Sequence, residues 1–269
     1  MRGASASSLE RLTEQLGSAV ESGADAARIA DDLFSVSALL RGEPSLRRVA
    51  TDPSLQPAAK SDFVRSLLGE RLDAASLDLV AASVAQRWAT TRDLADALEE
   101  LGVIAVVKGA DRDGDADALE DELFGFGRLV TENPELRDAL SDPARTAADK
   151  HALIDNLLEG RVTAATRRLA KQAVVSSHRT VSVAVEEYQK VAARNRNRLV
   201  ATVRVARELP DADRARLEGA LTSQYDRPVH LNVVVDPEVV GGVKVEIGDD
   251  VIDGTVASRL DEARRRLAG

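Results

Sequence analysis

Apolar residues recur at helical spacing through roughly the first 195 positions. Leu9, Leu12, Leu16 and Val20 fall three and four apart, which lines one face of a helix. Asp25 opens a second helix over 25–40, stopped by Gly42 ahead of Pro44, because proline keeps its predecessor out of the helical region. A short helix follows to about residue 50, then a turn at Asp52-Pro53 and helices over 58–68, 74–88 and 92–108. Six short helices joined by brief turns make an antiparallel bundle. The same periodicity predicts helices over 117–130, 135–140, 147–158, 164–177 and 181–196. From Asn197 the period shortens to two: 199–206, 229–235 and 243–247 are β-branched, strand-like runs. Asp211 after Pro210 opens a helix carrying Leu217 and Leu221, and Asp253-Gly254 turns into a closing helix over 255–267.

The bundle is written twice. Residues 33–88 laid on 123–178, at a constant offset of 90 without a gap, give 17 identities in 56 positions, concentrated at apolar and turn sites. Leu33-Phe34 recurs as Leu123-Phe124, Pro44 as Pro134, Asp52-Pro53 as Asp142-Pro143, and Leu67-Leu68 as Leu157-Leu158. With one residue of slippage Leu9-Glu10-Arg11-Leu12 answers to Leu98-Glu99-Glu100-Leu101, so the sixth helix of the first copy carries the element that opens the second. The expected architecture is mainly α with a small α/β tail. Two tandem six-helix-type bundles, 1–108 and 92–196, share a helix and precede a short β-α-β-β domain with a terminal helix over 197–269.

Composition narrows the chemistry. The 269 residues carry 45 Asp and Glu against 36 Lys and Arg, a net charge of −9 that argues against a broad nucleic-acid surface. With 3% aromatic residues there is little to stack bases or sugars on. The absence of cysteine excludes disulfides, thiolate nucleophiles and Cys-ligated metal clusters. No run approaches the apolar length of a membrane span, and Met1-Arg2-Gly3-Ala4-Ser5 leads into a charged helix, so a cytoplasmic location is expected.

Individual motifs lead away from catalysis. Asp111-Arg112-Asp113-Gly114-Asp115-Ala116-Asp117 with Glu122 has the length of a calcium loop, but Ala116 stands where that loop needs glycine. The plain reading is an acidic loop at a helix start. His151, His178 and His230, assigned to two helices and a strand, share no ligand spacing. Gly241-Gly242-Val243-Lys244 lacks the remaining features of a phosphate loop. Arg264-Arg265-Arg266 suits a helix C-terminus. What remains is apolar helix surface. Leu77, Val80 and Val84 form one stripe of the fifth helix, and Leu79 lies on the other side, leaving one face for extra core or for a partner's amphipathic helix.

The C-terminal run from Val235-Asp236-Pro237 through Gly241-Gly242 and Ile247-Gly248-Asp249 to Val251-Ile252-Asp253-Gly254-Thr255-Val256 resembles the closing signature of the delta subunit of F-type ATP synthases, the oligomycin-sensitivity-conferring family. Leu209-Pro210 before a helix, and a bundle ahead of the tail, extend the resemblance over nearly the whole chain. Two features depart from the usual pattern: the bundle is duplicated, as in the long actinobacterial-type form, and the tyrosine-containing opening of the first helix is absent. The resemblance implies a non-catalytic peripheral-stalk subunit of the proton-translocating synthase, with no cofactor and no metal. Its location would be the cytoplasmic face of the cell membrane, reached only through the complex. The implied partners are N-terminal helices of the alpha subunit, gripped by the bundle, and the C-terminal end of the b subunit, held by the tail; no nucleic acid is implied. The partner-binding residues expected here are Leu9, Leu12, Leu16, Leu77, Val80 and Val84. Gly241, Gly242, Gly248, Asp253 and Gly254 are expected to shape the tail. A helical-repeat adaptor for amphipathic helices of an unrelated partner fits the bundles equally well but leaves the tail motif unexplained. A nucleotide-binding enzyme is a third reading, weakened by the missing phosphate loop.

Overall fold

The computed structural model describes residues 1–196, 198–248 and 250–256. The chain divides into two compact units, Met1–Ala192 and Ala193–Gly269.

The first unit is helical: α1 (Ala4–Glu21), α2 (Ala26–Gly42), α3 (Pro44–Thr51), α4 (Pro57–Leu68), α5 (Ala74–Ala85), α6 (Asp93–Asp113), α7 (Ala116–Glu132), α8 (Pro134–Ser141), α9 (Ala147–Leu158), α10 (Ala164–Val175) and α11 (Val181–Asn195). Their boundaries follow from local chemistry. Asp25 accepts from the amides of Ala27 and Arg28 at 2.9 and 3.1 Å and starts α2. Pro44, Pro57 and Pro134 sit in first turns, where the missing N–H would have had no helical partner. Thr146 and Asp149 form a reciprocal capping box on α9. A longer-range cap repeats at offset 90. Asp32 on α2 accepts from the amide of Asp73 at 3.0 Å, and Glu122 on α7 accepts from the amide of Thr163 at 2.9 Å, so in each repeat a carboxylate holds the start of the fifth helix.

That last contact corrects the acidic loop. Asp111 to Asp113 belong to α6, and only Gly114 and Asp115 separate it from α7, because an apolar stripe carries the helix through Gly109 and Ala110. Glu122 serves as a cap and is further bonded by the hydroxyls of Thr163 and Thr166. No twelve-residue loop remains for calcium. The fifth helix also stops sooner than predicted, at Ala85. Trp88 folds back so that its indole N–H donates to the Ser83 carbonyl at 2.9 Å. In the second repeat α10 ends at Val175, which puts His178 in a connection rather than a helix, edge-on to the ring of Tyr188.

One apolar cluster runs through the whole unit, and α6 is its axis. Leu94, Ala97, Leu98, Leu101, Val103, Ile104, Ala105 and Val107 are all buried, so the helix is apolar on every side. It packs against α1, α2 and α5 and also against α7 and α10. Phe34 of α2 packs against Gly102, whose absent Cβ would fall 2.5 Å from the ring.

The second unit contains β1 (Leu199–Val205), α12 (Asp211–Tyr225), β2 (Val229–Val235), β3 (Val243–Ile247) and β4 (Asp250–Asp253) in a sheet of order β2-β1-β3-β4. β1 and β2 run parallel, joined through α12, and the other two pairings are antiparallel. Ala201, Val203 and Val205 alternate inward with Leu231, Val245 and Ile247, and Leu217 and Leu221 of α12 cover them. β4 is absent from the expected β-α-β-β order: all four of its residues are exposed, so no apolar alternation marks it. The closing helix expected over 255–267 lies outside the described residues from 257 on, Arg264-Arg265-Arg266 included.

Replacing Gly102 by alanine drives a methyl into the Phe34 ring and should lower stability by about 1–3 kcal/mol. Urea unfolding measures the loss, and Phe34→Leu in the same chain should recover part of it.

Candidate partner-binding surface

The six residues expected to meet a partner separate into two groups. Leu12, Leu16, Val80 and Val84 are each no more than 1% exposed and belong to the common core. A side chain with no solvent-facing area has nothing to offer a partner, so these four act by holding α1 and α5 together. Leu9 and Leu77 are only partly buried at the edge of that core and keep accessible apolar surface. The α1–α5 pair is closed at its end by polar links: the Ser8 hydroxyl donates to the Arg87 carbonyl at 2.9 Å, and Arg11 donates to Gln86 Oε1 at 2.8 Å.

Large apolar side chains left in solvent mark where the first unit still has hydrophobic surface. Among the described residues, Leu39, Val49, Leu55, Phe63 and Leu67 fall in the first repeat, with only Val175 and Val183 in the second. Phe63 and Leu67, 41% and 44% exposed, are one turn apart on α4 and share a face. Ninety residues on, Leu153 and Leu157 are packed against the core. The sequence does not single out Phe63, because its exposure depends on which neighbours cover α4.

A second feature was not legible in sequence. Glu99, on the axial helix, is 3% exposed and still ionised. Burial raises its pKa, but the charge of Arg41 and hydrogen bonds from Tyr188, Arg41 and Gln172 outweigh this and hold it below the ordinary carboxylate value. The Tyr188 hydroxyl donates to Oε1 at 2.6 Å, and Arg41 reaches Oε2 while also bonding Asp96 at 3.0 Å. One carboxylate thus joins α2 to α6, α10 and α11. Tyr188 is pushed well above its usual pKa, by burial first and by Glu99 second, and acts as a permanent donor. Beside this junction a groove of about 620 Å³ runs between α2 and α10, with Phe34, Ala38 and Val175 among its lining. Three cations line it against two acids: Arg168 binds Asp31 at 2.7 Å, and Lys171 and Arg167 share Asp155 at 2.6 and 3.9 Å.

In the tail, Gly241, Gly242 and Gly254 meet at one corner, beside Asp253, and Gly248 lies at the other end of β3. The Gly254 amide donates to the Val243 carbonyl and the Val256 amide to the Gly241 carbonyl, both at 2.9 Å. Gly242 has φ +83 and lies against the Gly254 carbonyl, so a Cβ has neither the backbone geometry nor the space it needs. Gly248 follows β3 at the turn into β4, and Asp253 accepts from the Thr255 amide at 3.0 Å. His151 lies on α9 and His230 on β2.

The family model described as "ATP synthase delta (OSCP) subunit" matches residues 104–267, beginning inside α6 and taking in the second repeat and the tail. Over its full length the chain is 54% identical to the ATP synthase subunit delta of Nocardioides sp. (strain ATCC BAA-499 / JS614), covering 98% of that protein. It is 49% identical over 92% of its length to the subunit delta of Kineococcus radiotolerans, covering 90% of that chain. The subunit delta of Streptomyces coelicolor is 44% identical over all of this chain and 98% of its own. A chain in a cryo-EM structure of the Toxoplasma gondii mitochondrial ATP synthase hexamer is 16% identical. It covers 62% of this chain and 95% of its own length with a TM-score of 0.35, too loose a likeness to bear on the fold.

Because Glu99 titrates lower in the folded chain than in the unfolded one, its contribution is complete above the unfolded pKa and is lost as pH falls through the folded pKa. Glu99→Gln should therefore cost about 1–3 kcal/mol near neutrality. Urea titrations from about pH 6 to about pH 3 should show the gap to wild type narrowing on the acid side.

Proposed function

The chain belongs to the ATP synthase delta (OSCP) family, a family of non-catalytic subunits, and on that premise we propose that it is a peripheral-stalk element of the proton-translocating F-type ATP synthase. In this reading the chain links the catalytic head to the b subunit and resists the torque of the rotor. The first repeat grips amphipathic N-terminal helices of the alpha subunit, and the tail holds the C-terminal end of b. The protein lies at the cytoplasmic face of the cell membrane and reaches the bilayer only through the complex; among the described residues no helix is long and apolar enough to cross a membrane.

The observation that carries this reading is the solvent-exposed apolar surface of the first repeat, Phe63 and Leu67 with the accessible parts of Leu9 and Leu77, mounted on a core that is continuous through eleven helices. A stator must neither unbind nor yield. Helix-in-groove contacts supply the first property when several act on one body, since each raises the effective concentration of the others. A continuous packed core supplies the second, because interiors close-packed like organic crystals are poorly compressible. We also read 1–108 and 92–196 as two bundles that share α6, which would carry load between them without a linker. An adaptor for an unrelated partner would leave the full-length relatedness to ATP synthase delta subunits unaccounted for.

The test is capture of synthase subunits by the tagged chain from membrane extracts. Wild type should retain alpha, beta and b. Phe63→Asp with Leu67→Asp should reduce alpha capture at least about tenfold, and b should remain on the tail. Gly242→Ala should do the reverse, because it disrupts the corner of the sheet. Alpha capture unchanged by the α4 pair, with the fold intact by circular dichroism, would place the grip elsewhere.

A further inference from the structure

Helices α4 and α9 occupy the same place in the two repeats, and only α9 closes its own N-terminus. There the Thr146 hydroxyl accepts from the Asp149 amide at 3.2 Å, and the Asp149 carboxylate accepts from the Thr146 amide at 3.1 Å. At offset 90 the threonine becomes Gln56 and the aspartate becomes Ala59. Gln56 stands at the N-cap with no side-chain bond, Pro57 carries no N–H, and residues 53–59 are all exposed. The amides of Gln56 and Ala59 thus lack the acceptors that those of Thr146 and Asp149 have, and the positive end of the helix is left open. Lys60 is an independent sign of a missing anion. It lies on the core side of α4 with Val64 and Leu68, is 5% exposed, and its amine makes no hydrogen bond or ion pair among the described residues. Helical side chains lean toward the N-terminus, so the amine lies over this first turn. Burial pushes its pKa down, and the charge of Asp52, just ahead of the turn, offsets this only in part. Asp52 is engaged elsewhere, accepting from the Ser54 amide at 2.8 Å and the Ser54 hydroxyl at 2.7 Å. Unlike Arg47 Nε and Ser76 Oγ, which are sealed inside without partners, the amine tip stays within reach of solvent. The surface around it is apolar: Leu55 is 40% exposed where the second repeat has Arg145, and Phe63 and Leu67 continue along α4.

We propose that the first turn of α4 is a docking site for a carboxylate side chain, Asp or Glu, carried by an amphipathic helix of a partner protein. The carboxylate takes the place that Asp149 occupies on α9 and accepts from the Gln56 amide, with the Lys60 ammonium as its counter-charge. The helix that carries it lays apolar residues on Leu55, Phe63 and Leu67. The second repeat shows which group fits this place, since its own occupant is a carboxylate. An unpaired ammonium beside open amides favours an acid and repels a base. The second repeat cannot bind a partner in this way, because Asp149 already fills the position. The proposal rests on the reading of α4 as a partner-gripping surface, and it names the charge that the partner must bring.

The test uses the full-length chain in two assays. In the first, acetate stands in for the carboxylate and replaces chloride at constant pH and ionic strength, with amide shifts read by solution NMR. Saturating shifts should centre on Gln56, Ala58 and Ala59, and the amides of Thr146 and Asp149 should stay in place. Gln56→Thr with Ala59→Asp transplants the cap of α9; it should remove the acetate response and raise the thermal midpoint. The second assay is capture of alpha from membrane extracts. That double variant and Lys60→Met, which keeps the buried stem, should each weaken capture roughly threefold to tenfold, as for an anion lost from a helix N-terminus. Acetate shifts that are absent from Gln56 to Ala59, or equal at Thr146 and Asp149, would overturn the proposal. Full capture by Lys60→Met and by the capped chain, with capture lost in Phe63→Asp with Leu67→Asp, would overturn it and leave the stator reading standing. Capture undiminished in the Phe63 and Leu67 variant would remove the grip on α4 itself, and this proposal with it.

Discussion

The middle turns of α6 are buried on all sides, and Glu99 nonetheless sets a carboxylate within that buried stretch. Glu99 is tolerated because Arg41, Tyr188 and Gln172 surround it with one cation and two neutral donors, and those partners come from three other helices. Removing any of them would leave a desolvated carboxylate short of a partner, which costs more than the bond itself contributes. The arrangement of α2, α6, α10 and α11 is therefore specified jointly rather than pair by pair. Apolar packing supplies most of the stabilisation, but it is non-directional, and the Glu99 junction fixes how the helices are arranged around the axis.

The same axis explains why a duplicated bundle need not behave as two beads on a string. A linker would let each copy tumble, whereas one cluster of buried residues from α1 to α11, with α6 at its axis, ties the repeats through continuous packing. Within the tail, stiffness has a different origin. A short parallel pair is backed by α12, and the strands around β3 close at a corner where backbone meets backbone at Gly242 and Gly254.

Divergence between the repeats is informative because the fold is held constant. Where the first copy places Ser37 and Arg41, which bond α6, the second has Gly127 and Thr131. Where the first leaves Phe63 and Leu67 in solvent the second packs Leu153 and Leu157. Each copy has kept the capping carboxylate, Asp32 or Glu122, that starts its fifth helix. Positions that define the module are shared, and positions that face its surroundings differ.

Helices, their caps, the offset of 90 and the change of period at Asn197 were legible in the chain itself, because periodicity and capping are local properties that neighbouring residues determine. Leu12, Leu16, Val80 and Val84 were recognised as apolar stripes by the same reasoning. Whether a stripe faces core or partner depends on which helices cover it, and periodicity is silent on that, so these four proved to be core while Phe63 and Leu67 remained exposed. Strand β4 carries no alternation because neither of its faces is buried, and it is defined by its hydrogen-bonded neighbour β3. Nothing local to Leu98-Glu99-Glu100-Leu101 distinguishes Glu99 from its neighbour Glu100. Only the three-dimensional packing of α2, α10 and α11 around α6 desolvated it, and partners 58 to 89 residues away satisfied it.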